Sequence, residues 1–293
     1  MNKIIVITGP TAVGKTKLSI ELAKKYNGEI INADAVQVYK GLDIGSAKIT
    51  EEEKEGITHH LFDIKEVNEE YTIYHYQKDC REKIKEIQDK GKTPILVGGT
   101  GLYIKSALYD YKLSEETNND TYDNLTNEEL YNELIELDKE IDIDKNNRRR
   151  LIRAINYYKE NNKSISNNKT NTLLYDVIFL GLTTDRKVLY DKINKRVDQM
   201  IEQGLLEEVK TFYNKNIRTK PLLGGIGYKE LYKYLDGEYT YEEAIEKIKQ
   251  DSRHYAKRQY TFFNHQLPVV WFETDYNNFN NTIEKVSNYI DNN

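Results

Sequence analysis

Short apolar runs alternate with amphipathic stretches in the first hundred residues of the chain. The runs Lys3–Thr8, Glu29–Asn32 and Pro94–Val97 are mostly apolar and rich in Ile and Val, which is typical of buried parallel strands. The stretches Lys15–Tyr26 and Ile73–Lys90 place apolar residues at helical spacing, and a glycine closely follows each. Strands that alternate with helices in this way predict a parallel sheet with helices on both faces.

The pattern changes after Tyr109. Residues 114–127 and 161–172 are polar and rich in Asn, and helical patterns at 128–137 and 148–160 lie between them. The run Val177–Leu182 then predicts another buried strand, and from Arg186 onward the chain is predicted to be helical. We therefore predict an α/β core formed by residues 1–112 and 172–293, with C-terminal helices, and a mainly helical insertion at residues 113–171.

Composition narrows the class of protein. Hydrophobic residues make up 38% of the 293 residues, and no run approaches the roughly 18 apolar residues of a membrane span. The first ten residues lack the features of a signal peptide, and the one cysteine, Cys80, cannot form an internal disulfide. We expect a cytoplasmic monomer with no membrane partner. The net charge of −5 argues against promiscuous nucleic-acid binding.

One motif predicts a phosphate-binding site. Residues Gly9-Pro10-Thr11-Ala12-Val13-Gly14-Lys15-Thr16 match G-x-x-x-x-G-K-S/T at every fixed position. Between a strand and a helix, such a loop points backbone N–H groups at phosphate oxygens. Lys15 adds a positive charge, and the Thr16 hydroxyl is a ligand for Mg²⁺. The motif predicts a P-loop NTPase-like core that binds a diphosphate or triphosphate.

The loop alone favours an ATP-binding enzyme, either a nucleotide triphosphatase or a small-molecule kinase. Such enzymes usually hold Mg²⁺ through an aspartate at the end of an apolar strand. The run Ile95–Gly101 ends without a carboxylate. Asp34 instead ends the second predicted strand, which we expect to lie beside the phosphate loop. Asp34 could then be a metal ligand or a general base, or it could cap the following turn.

With these features in order, the sequence resembles the tRNA dimethylallyltransferases, also called isopentenyltransferases, over most of its length. This chain has Ala35 where the family usually has serine, and its insertion is shorter than is common. The matching blocks are Gly9–Thr16, Asp34–Tyr39, Gly41–Gly45 with Ala47-Lys48, His59–Ile64, Val97–Tyr103, Arg150–Ala154, Gly227-Tyr228 and Ser252–Gln259.

The resemblance implies that a dimethylallyl group passes from dimethylallyl diphosphate to N6 of adenosine 37, next to the tRNA anticodon. Pyrophosphate leaves, so the phosphate loop would hold a departing diphosphate, with Mg²⁺ as cofactor. Asp34 matches the family's general base, Thr100 a residue at the reaction centre, and Arg196 an arginine that reaches the pyrophosphate. From the residues alone, Thr100 could equally be a turn hydroxyl and Arg196 a solvated helix charge.

Two segments are candidates for tRNA contacts. Arginines cluster at 148–153, and a second patch mixes cations with Tyr255, Tyr260, Phe262 and Phe263, whose rings could stack bases or fill a core. The Gln37 amide suits pairing with an adenine edge, although it could also be exposed filler. The predicted tRNA-binding residues are Asp34, Ala35, Val36, Gln37, Arg149, Arg150, Arg153, Arg253, Lys257 and Arg258.

Three functions remain open at this point: a tRNA prenyltransferase, a P-loop small-molecule kinase, and a non-catalytic RNA-binding protein. Enzymes that prenylate free adenine nucleotides are a close variant of the first. His59 and His60 are adjacent and lack further residues at ligand spacing, so we predict packing or hydrogen bonding for them rather than metal binding.

Overall fold

The computed structural model describes residues 3–111, 113, 122–165 and 171–293. The chain divides into two compact units, one formed by Met1–Leu108 with Leu173–Asn293 and the other by Tyr109–Thr172. The predicted insertion, residues 113–171, falls within the second unit. Among the described residues, no helix has the length and apolar character needed to cross a membrane.

The first unit contains the sheet and most of the helices. Its elements before the second unit are β1 (Ile4–Thr8), α1 (Lys15–Lys25), β2 (Gly28–Asn32), β3 (His59–His60), α2 (Ile73–Asp89), β4 (Thr93–Val97) and α3 (Gly101–Leu108). The second unit contributes α4 (Asn127–Leu137) and α5 (Arg148–Asn161). The first unit then continues with β5 (Val177–Thr183), α6 (Arg186–Glu202), α7 (Leu205–Tyr213), α8 (Lys220–Gly224), α9 (Tyr228–Leu235), α10 (Tyr241–Gln266), β6 (Val270–Glu273) and α11 (Phe279–Asp291).

All six strands pair in parallel, in the order β3-β2-β4-β1-β5-β6, which confirms the predicted α/β class with a parallel sheet. The central strand β1 is fully buried along its length because helices cover both faces of the sheet. Leu18 and Leu22 of α1, Ile193 of α6 and Ile290 of α11 share one apolar core with the strands. The second unit has its own core around Leu130, Leu134 and Leu151.

One detail of the prediction is wrong. The chain after Arg186 is not helical throughout, because β6 (Val270–Glu273) adds an edge strand beside β5. The second predicted strand, β2, is separated from β1 by β4, which pairs with both. Asp34 therefore follows a strand two positions from the strand that precedes the phosphate loop.

Candidate active site

A cavity of about 440 Å³ lies at the carboxyl ends of β1, β2 and β4. This is the edge where ligands bind in open parallel sheets, because loops after neighbouring strands diverge there. The walls include Thr11–Thr16, Asp34–Gln37, Gly98–Thr100 and side chains from α6 and α10. The cavity therefore brings together the phosphate loop and all three predicted catalytic residues, Asp34, Thr100 and Arg196.

The phosphate loop has the backbone curl that its glycines predict. Gly9 and Gly14 have φ angles of 132° and 95°, and Ala12 also adopts a positive φ, 67°. The loop leads from β1 into the first turn of α1, so its later N–H groups lie at the positive end of a helix. Gly9 and Pro10 do not line the cavity. Their carbonyl groups accept hydrogen bonds from the side chain of Lys15.

Lys15 lies against its own loop. Its Nζ donates to the carbonyl oxygens of Gly9 at 3.0 Å and Pro10 at 2.6 Å. Burial and, to a smaller extent, the charge of Arg196 lower the pKa of Lys15 to about 7, while the charge of Asp34 opposes this shift. Burial thus disfavours the charged form of Lys15, and an anion that enters the cavity would stabilise it.

Arg196 reaches the loop from α6. Its Nη1 donates to Oγ1 of Thr11 at 3.1 Å. Burial lowers the pKa of Arg196, while the nearby carboxylate of Asp34 raises it. Two cations, Lys15 and Arg196, therefore lie at the phosphate loop, where they suit a multiply charged anion.

Asp34 is held in place by its neighbours. Its backbone N–H donates to Oδ1 of Asn32 at 2.9 Å, and Nδ2 of the fully buried Asn32 donates to the Asp34 carbonyl at 3.1 Å. Oδ1 of Asp34 accepts from the N–H of Val36 at 2.9 Å, which is the turn-capping role weighed from the sequence. Its other carboxylate oxygen accepts no hydrogen bond from the described residues, so the carboxylate can also accept a proton.

Thr100 also has a structural role. Its Oγ1 accepts from the N–H of Ala35 at 3.1 Å, and its own N–H donates to the Ala33 carbonyl at 3.0 Å. The Thr100 hydroxyl also interacts with Tyr255 of α10, a residue of the cavity wall. Burial and then the charge of Asp34 raise the pKa of Tyr255 to about 12, so its phenol stays protonated at neutral pH.

Gln37 lies on the cavity wall, but its amide nitrogen is already engaged. Nε2 donates to the carbonyls of Ser46 at 2.9 Å and Ala47 at 3.3 Å. A base entering the cavity would meet Oε1 unless the amide turns away from these carbonyls. The side chain thus ties the Asp34–Gln37 segment to the loop that contains Ser46 and Ala47.

Sequence reasoning missed Gln259 as a site residue. The side chain is 4% exposed, donates through Nε2 to the Gly99 carbonyl at 3.1 Å, and accepts through Oε1 from the N–H of Thr11 at 3.2 Å. A Cβ at Gly99 would come within 2.0 Å of Nε2, so only glycine permits this approach. Gln259 therefore links the phosphate loop to the segment after β4; its place in the Ser252–Gln259 block was the available signal.

The predicted tRNA-binding cations occupy different environments. In the second unit, Arg149, Arg150 and Arg153 are exposed on α5, whereas Arg148 donates to the Leu125 carbonyl at 2.6 Å. In the first unit, Lys257 and Arg258 are exposed on α10, and Arg258 also lines the cavity. Arg253, on the same helix, donates to Oδ1 of Asn194 at 2.6 Å.

The aromatic side chains of α10 mostly pack inside the first unit. Phe263 is fully buried, Phe262 packs against Gly101, and the Tyr260 hydroxyl lies 2.8 Å from Oγ1 of Thr183. Of the four predicted aromatics, Tyr255 alone lines the cavity. The core interpretation therefore holds for Phe263, whereas Tyr260 and Phe262 are half-buried.

Thr16 is the phosphate-loop residue whose hydroxyl the sequence motif assigns to a magnesium ion. Thr16 is exposed at the start of α1 and lines the cavity. No group of three or more His, Cys, Asp or Glu residues suited to a metal ion occurs within the described ranges. Mg²⁺ readily keeps several waters and binds substrate phosphates, so Thr16 together with a bound diphosphate fits such an ion.

The histidine pair and the cysteine have local roles. His60 Nε2 lies 2.7 Å from Oε2 of Glu29, and His59 Nδ1 lies 2.8 Å from the Ile57 carbonyl, which confirms the predicted hydrogen bonding. Cys80 is fully buried in α2, and burial raises the pKa of its thiol to about 12. Such a thiol is a poor nucleophile.

Comparison with known proteins agrees with this geometry. The model of the IPP transferase family matches residues 37–266. A tRNA dimethylallyltransferase of Anoxybacillus flavithermus is 50% identical, covering 99% of this chain and 96% of its own. The structure of a full-length tRNA isopentenylpyrophosphate transferase from Bacillus halodurans is 41% identical, with a TM-score of 0.79, and covers all of this chain and 96% of its own.

A more distant solved structure is similar over the same length. It is a eukaryotic dimethylallyltransferase acting on tRNA, 31% identical with a TM-score of 0.89, and the match covers all of this chain and 79% of that one. The family match covers more than half of the chain, and the identities extend over nearly all of it. The chain therefore belongs to the IPP transferase family, together with the tRNA dimethylallyltransferases.

Proposed function

We propose that this protein is a tRNA dimethylallyltransferase that moves the dimethylallyl group of dimethylallyl diphosphate to N6 of adenosine 37, beside the anticodon. The observation that carries the proposal is the composition of one cavity. Lys15 and Arg196 lie at its phosphate loop, and the Asp34 carboxylate lies on its wall. The cavity thus combines cations for a leaving diphosphate with a base for an incoming amine.

The reaction follows from these groups. The N6 amine attacks the first carbon of the allyl chain, the C–O bond breaks, and its electron pair leaves with pyrophosphate. Lys15, Arg196 and the loop N–H groups stabilise the negative charge that grows on the leaving group. Asp34 orients the amine and accepts one N6 proton during attack. The hydroxyl of Thr100, next to Asp34 on the wall, is placed to contact the amine.

A magnesium ion is part of this proposal. The Thr16 hydroxyl and the oxygens of the bound diphosphate would hold it. When bound, Mg²⁺ supplies further positive charge to the leaving group.

The nucleic-acid side of the proposal rests on the cavity wall and on six cations, all of them exposed except the half-buried Arg253. Ala35, Val36 and Gln37 would contact the adenine, which must leave the anticodon stack to reach the cavity. Arg149, Arg150, Arg153, Arg253, Lys257 and Arg258 would pair with phosphates. An enzyme of this kind works where tRNA is, so we place it in the cytoplasm, acting as a monomer.

The proposal is tested by offering labelled dimethylallyl diphosphate to three acceptors in parallel. These are unmodified tRNA, the same tRNA with guanosine at position 37, and free adenine nucleotides. We expect label only in the unmodified tRNA. Label in AMP, ADP or ATP would favour the nucleotide-prenylating variant. Transfer of a phosphoryl group from labelled ATP to a small metabolite would favour the kinase.

A further inference from the structure

We propose that residues 274–278, the segment after β6, hold the phosphate loop in its conformation, and that Thr274 and Tyr276 are the positioning residues. We call this segment the brace. These side chains hold two loop carbonyls, so that the N–H groups of the same peptide units point into the cavity. The brace rests on the proposed function, since it serves the binding of a diphosphate.

The contacts are specific hydrogen bonds. Oγ1 of Thr274 donates to the carbonyl of Val13 at 3.0 Å, and the phenol of Tyr276 donates to the carbonyl of Ala12 at 3.3 Å. Thr274 is 5% exposed, and its backbone N–H donates to the Thr183 carbonyl at 2.8 Å, which extends the pairing of β6 with β5. The sheet itself therefore anchors the brace.

Peptide geometry converts these contacts into an effect on the ligand site. The C=O and N–H of one trans peptide unit point in opposite directions. Fixing the Ala12 carbonyl thus directs the Val13 N–H away from Tyr276, and fixing the Val13 carbonyl does the same for the Gly14 N–H. Ala12, Val13 and Gly14 line the cavity, whereas Thr274 and Tyr276 do not. The two amides are therefore directed toward the cavity side of the loop.

The loop needs such support. Ala12 has a φ of 67°, a left-handed conformation that is unfavourable for a residue with a side chain. Gly14 has a φ of 95°, and a Cβ there would lie 2.7 Å from the ring of Phe279 at the start of α11. Without the brace, the peptide units between Ala12 and Gly14 would be free to turn.

The brace is itself rigid. Oδ1 of Asp275, between the two positioning residues, accepts from the N–H groups of Asn277 at 3.0 Å and Asn278 at 2.9 Å. The backbone N–H of Asp275 donates to Oγ1 of Thr282 at 2.9 Å. These bonds fix the turn between β6 and α11, so Thr274 and Tyr276 are presented to the loop in a set geometry.

The test compares Thr274→Val, Tyr276→Phe and the double variant with wild type. Inorganic pyrophosphate is the probe in calorimetry, and steady-state kinetics give the KM for each substrate. Thr93→Val is the matched control, because Thr93 is 2% exposed and its hydroxyl donates to the Tyr26 carbonyl at 2.9 Å, at the opposite end of the sheet. Thr274→Ser should restore the wild-type behaviour.

We expect the double variant to bind pyrophosphate roughly tenfold more weakly and to raise the KM for dimethylallyl diphosphate by a similar factor. The KM for tRNA should stay unchanged, and the thermal midpoint should match that of Thr93→Val. Pyrophosphate affinity within twofold of wild type, or an equal loss in Thr93→Val, would overturn the brace. Wild-type protein that binds no pyrophosphate would overturn the proposed function, and the brace with it. If the double variant does not fold, Tyr276→Phe alone decides, with an expected loss of about threefold.

Discussion

Arg196 and Thr11 are joined by a hydrogen bond of 3.1 Å between Nη1 and Oγ1, although 184 residues lie between them in the chain. This bond ties α6 to the phosphate loop and keeps a second cation beside Lys15. In the proposed reaction, the diphosphate binds at the end of the cavity that this pair lines. The roles proposed for Arg196, Lys15 and Asp34 can each be tested by substitution.

Replacing Arg196 with glutamine should lower kcat by about 10²–10³ and raise the KM for dimethylallyl diphosphate, because charge on the leaving pyrophosphate loses a buried donor. Steady-state kinetics with tRNA as acceptor measure both constants. Arg186→Gln is the control, since Arg186 is an exposed arginine on the same helix. Equal losses in both variants would mean that Arg196 has no special contact with the diphosphate.

The affinity for dimethylallyl diphosphate should fall as the pH rises from about 7 to 9. The pKa of Lys15 in the free protein is about 7, so the side chain is charged below that pH and neutral above it. A bound anion favours the charged form, so binding at pH 8 should take up a proton. Calorimetry in two buffers of different ionisation enthalpy detects this uptake.

The variant Lys15→Arg keeps its charge over the whole range, so its affinity should vary less with pH. An affinity of the wild-type protein that is constant from pH 6.5 to 9 would contradict the assignment of Lys15 as the titrating cation.

Asp34→Asn should reduce turnover by about 10²–10⁴ while leaving both substrate affinities within about threefold. Asparagine keeps the Oδ1 acceptor that the Val36 N–H uses, so the turn survives, while the base and the negative charge near Lys15 and Arg196 are lost. Single-turnover kinetics separate the chemical step from binding. Asp198→Asn serves as the control because Asp198 is an exposed partner of Lys249. A single-turnover rate near that of wild type would remove Asp34 as the base.

Replacing Arg149 and Arg150 together with glutamine should weaken tRNA binding and reduce its salt dependence. Each lost phosphate contact to a single strand makes the negative slope of log K against log salt shallower by about 0.7. Filter binding over a salt series measures the slope. The control replaces Lys83 and Lys85 of α2, which form ion pairs with Glu86 and Asp89. An unchanged slope would exclude phosphate contacts at the paired arginines.

Glu29 should make the protein sensitive to acid. The carboxylate is 3% exposed, and although burial alone would raise its pKa, Lys92 and His60 lower it to about 2. An unfolded glutamate has a pKa near 4.3. The folded-state pKa is therefore the lower one, so the stabilisation is complete well above pH 4.3 and is lost as the pH falls toward 2.

Glu29→Gln should lower the free energy of unfolding at pH 7 by about 2 kcal/mol and flatten its decline toward low pH. Urea unfolding at a series of pH values measures both effects. Glu86→Gln, which removes an exposed partner of Lys83, should change the stability much less. Equal effects of the two substitutions would contradict a special role for the buried Glu29 network.

Short-range sequence patterns predicted those elements that lie close together in the chain. The strand before the phosphate loop, the loop itself and the helix after it lie within 25 residues, and the structure places β1 and α1 there. The two-residue strand β3 is too short to show a period, and β6 is a four-residue edge strand with exposed ends. Periodicity carries little information on such short elements.

Long-range partners explain what the sequence could not predict in the site. Thr11 meets Gln259 and Val13 meets Thr274, pairs separated by 248 and 261 positions. Strand order is set in the same way, since β4 pairs with β1 on one side and β2 on the other. The sequence predicted that Asp34, Thr100 and Arg196 share a site through family resemblance, whereas the bonds that hold them required the structure.

In the proposed reaction, one cavity holds dimethylallyl diphosphate beside the adenine amine that attacks its allyl carbon. The reaction is tested by the transfer of labelled dimethylallyl groups to tRNA. Nuclease digestion to oligonucleotides then identifies the labelled position, and digestion to nucleosides identifies the labelled nucleoside. We expect N6-dimethylallyladenosine from position 37 to carry the label, with one pyrophosphate released per group transferred. Folded protein that binds both substrates yet leaves the tRNA unlabelled, or that labels another position, would contradict the proposed reaction.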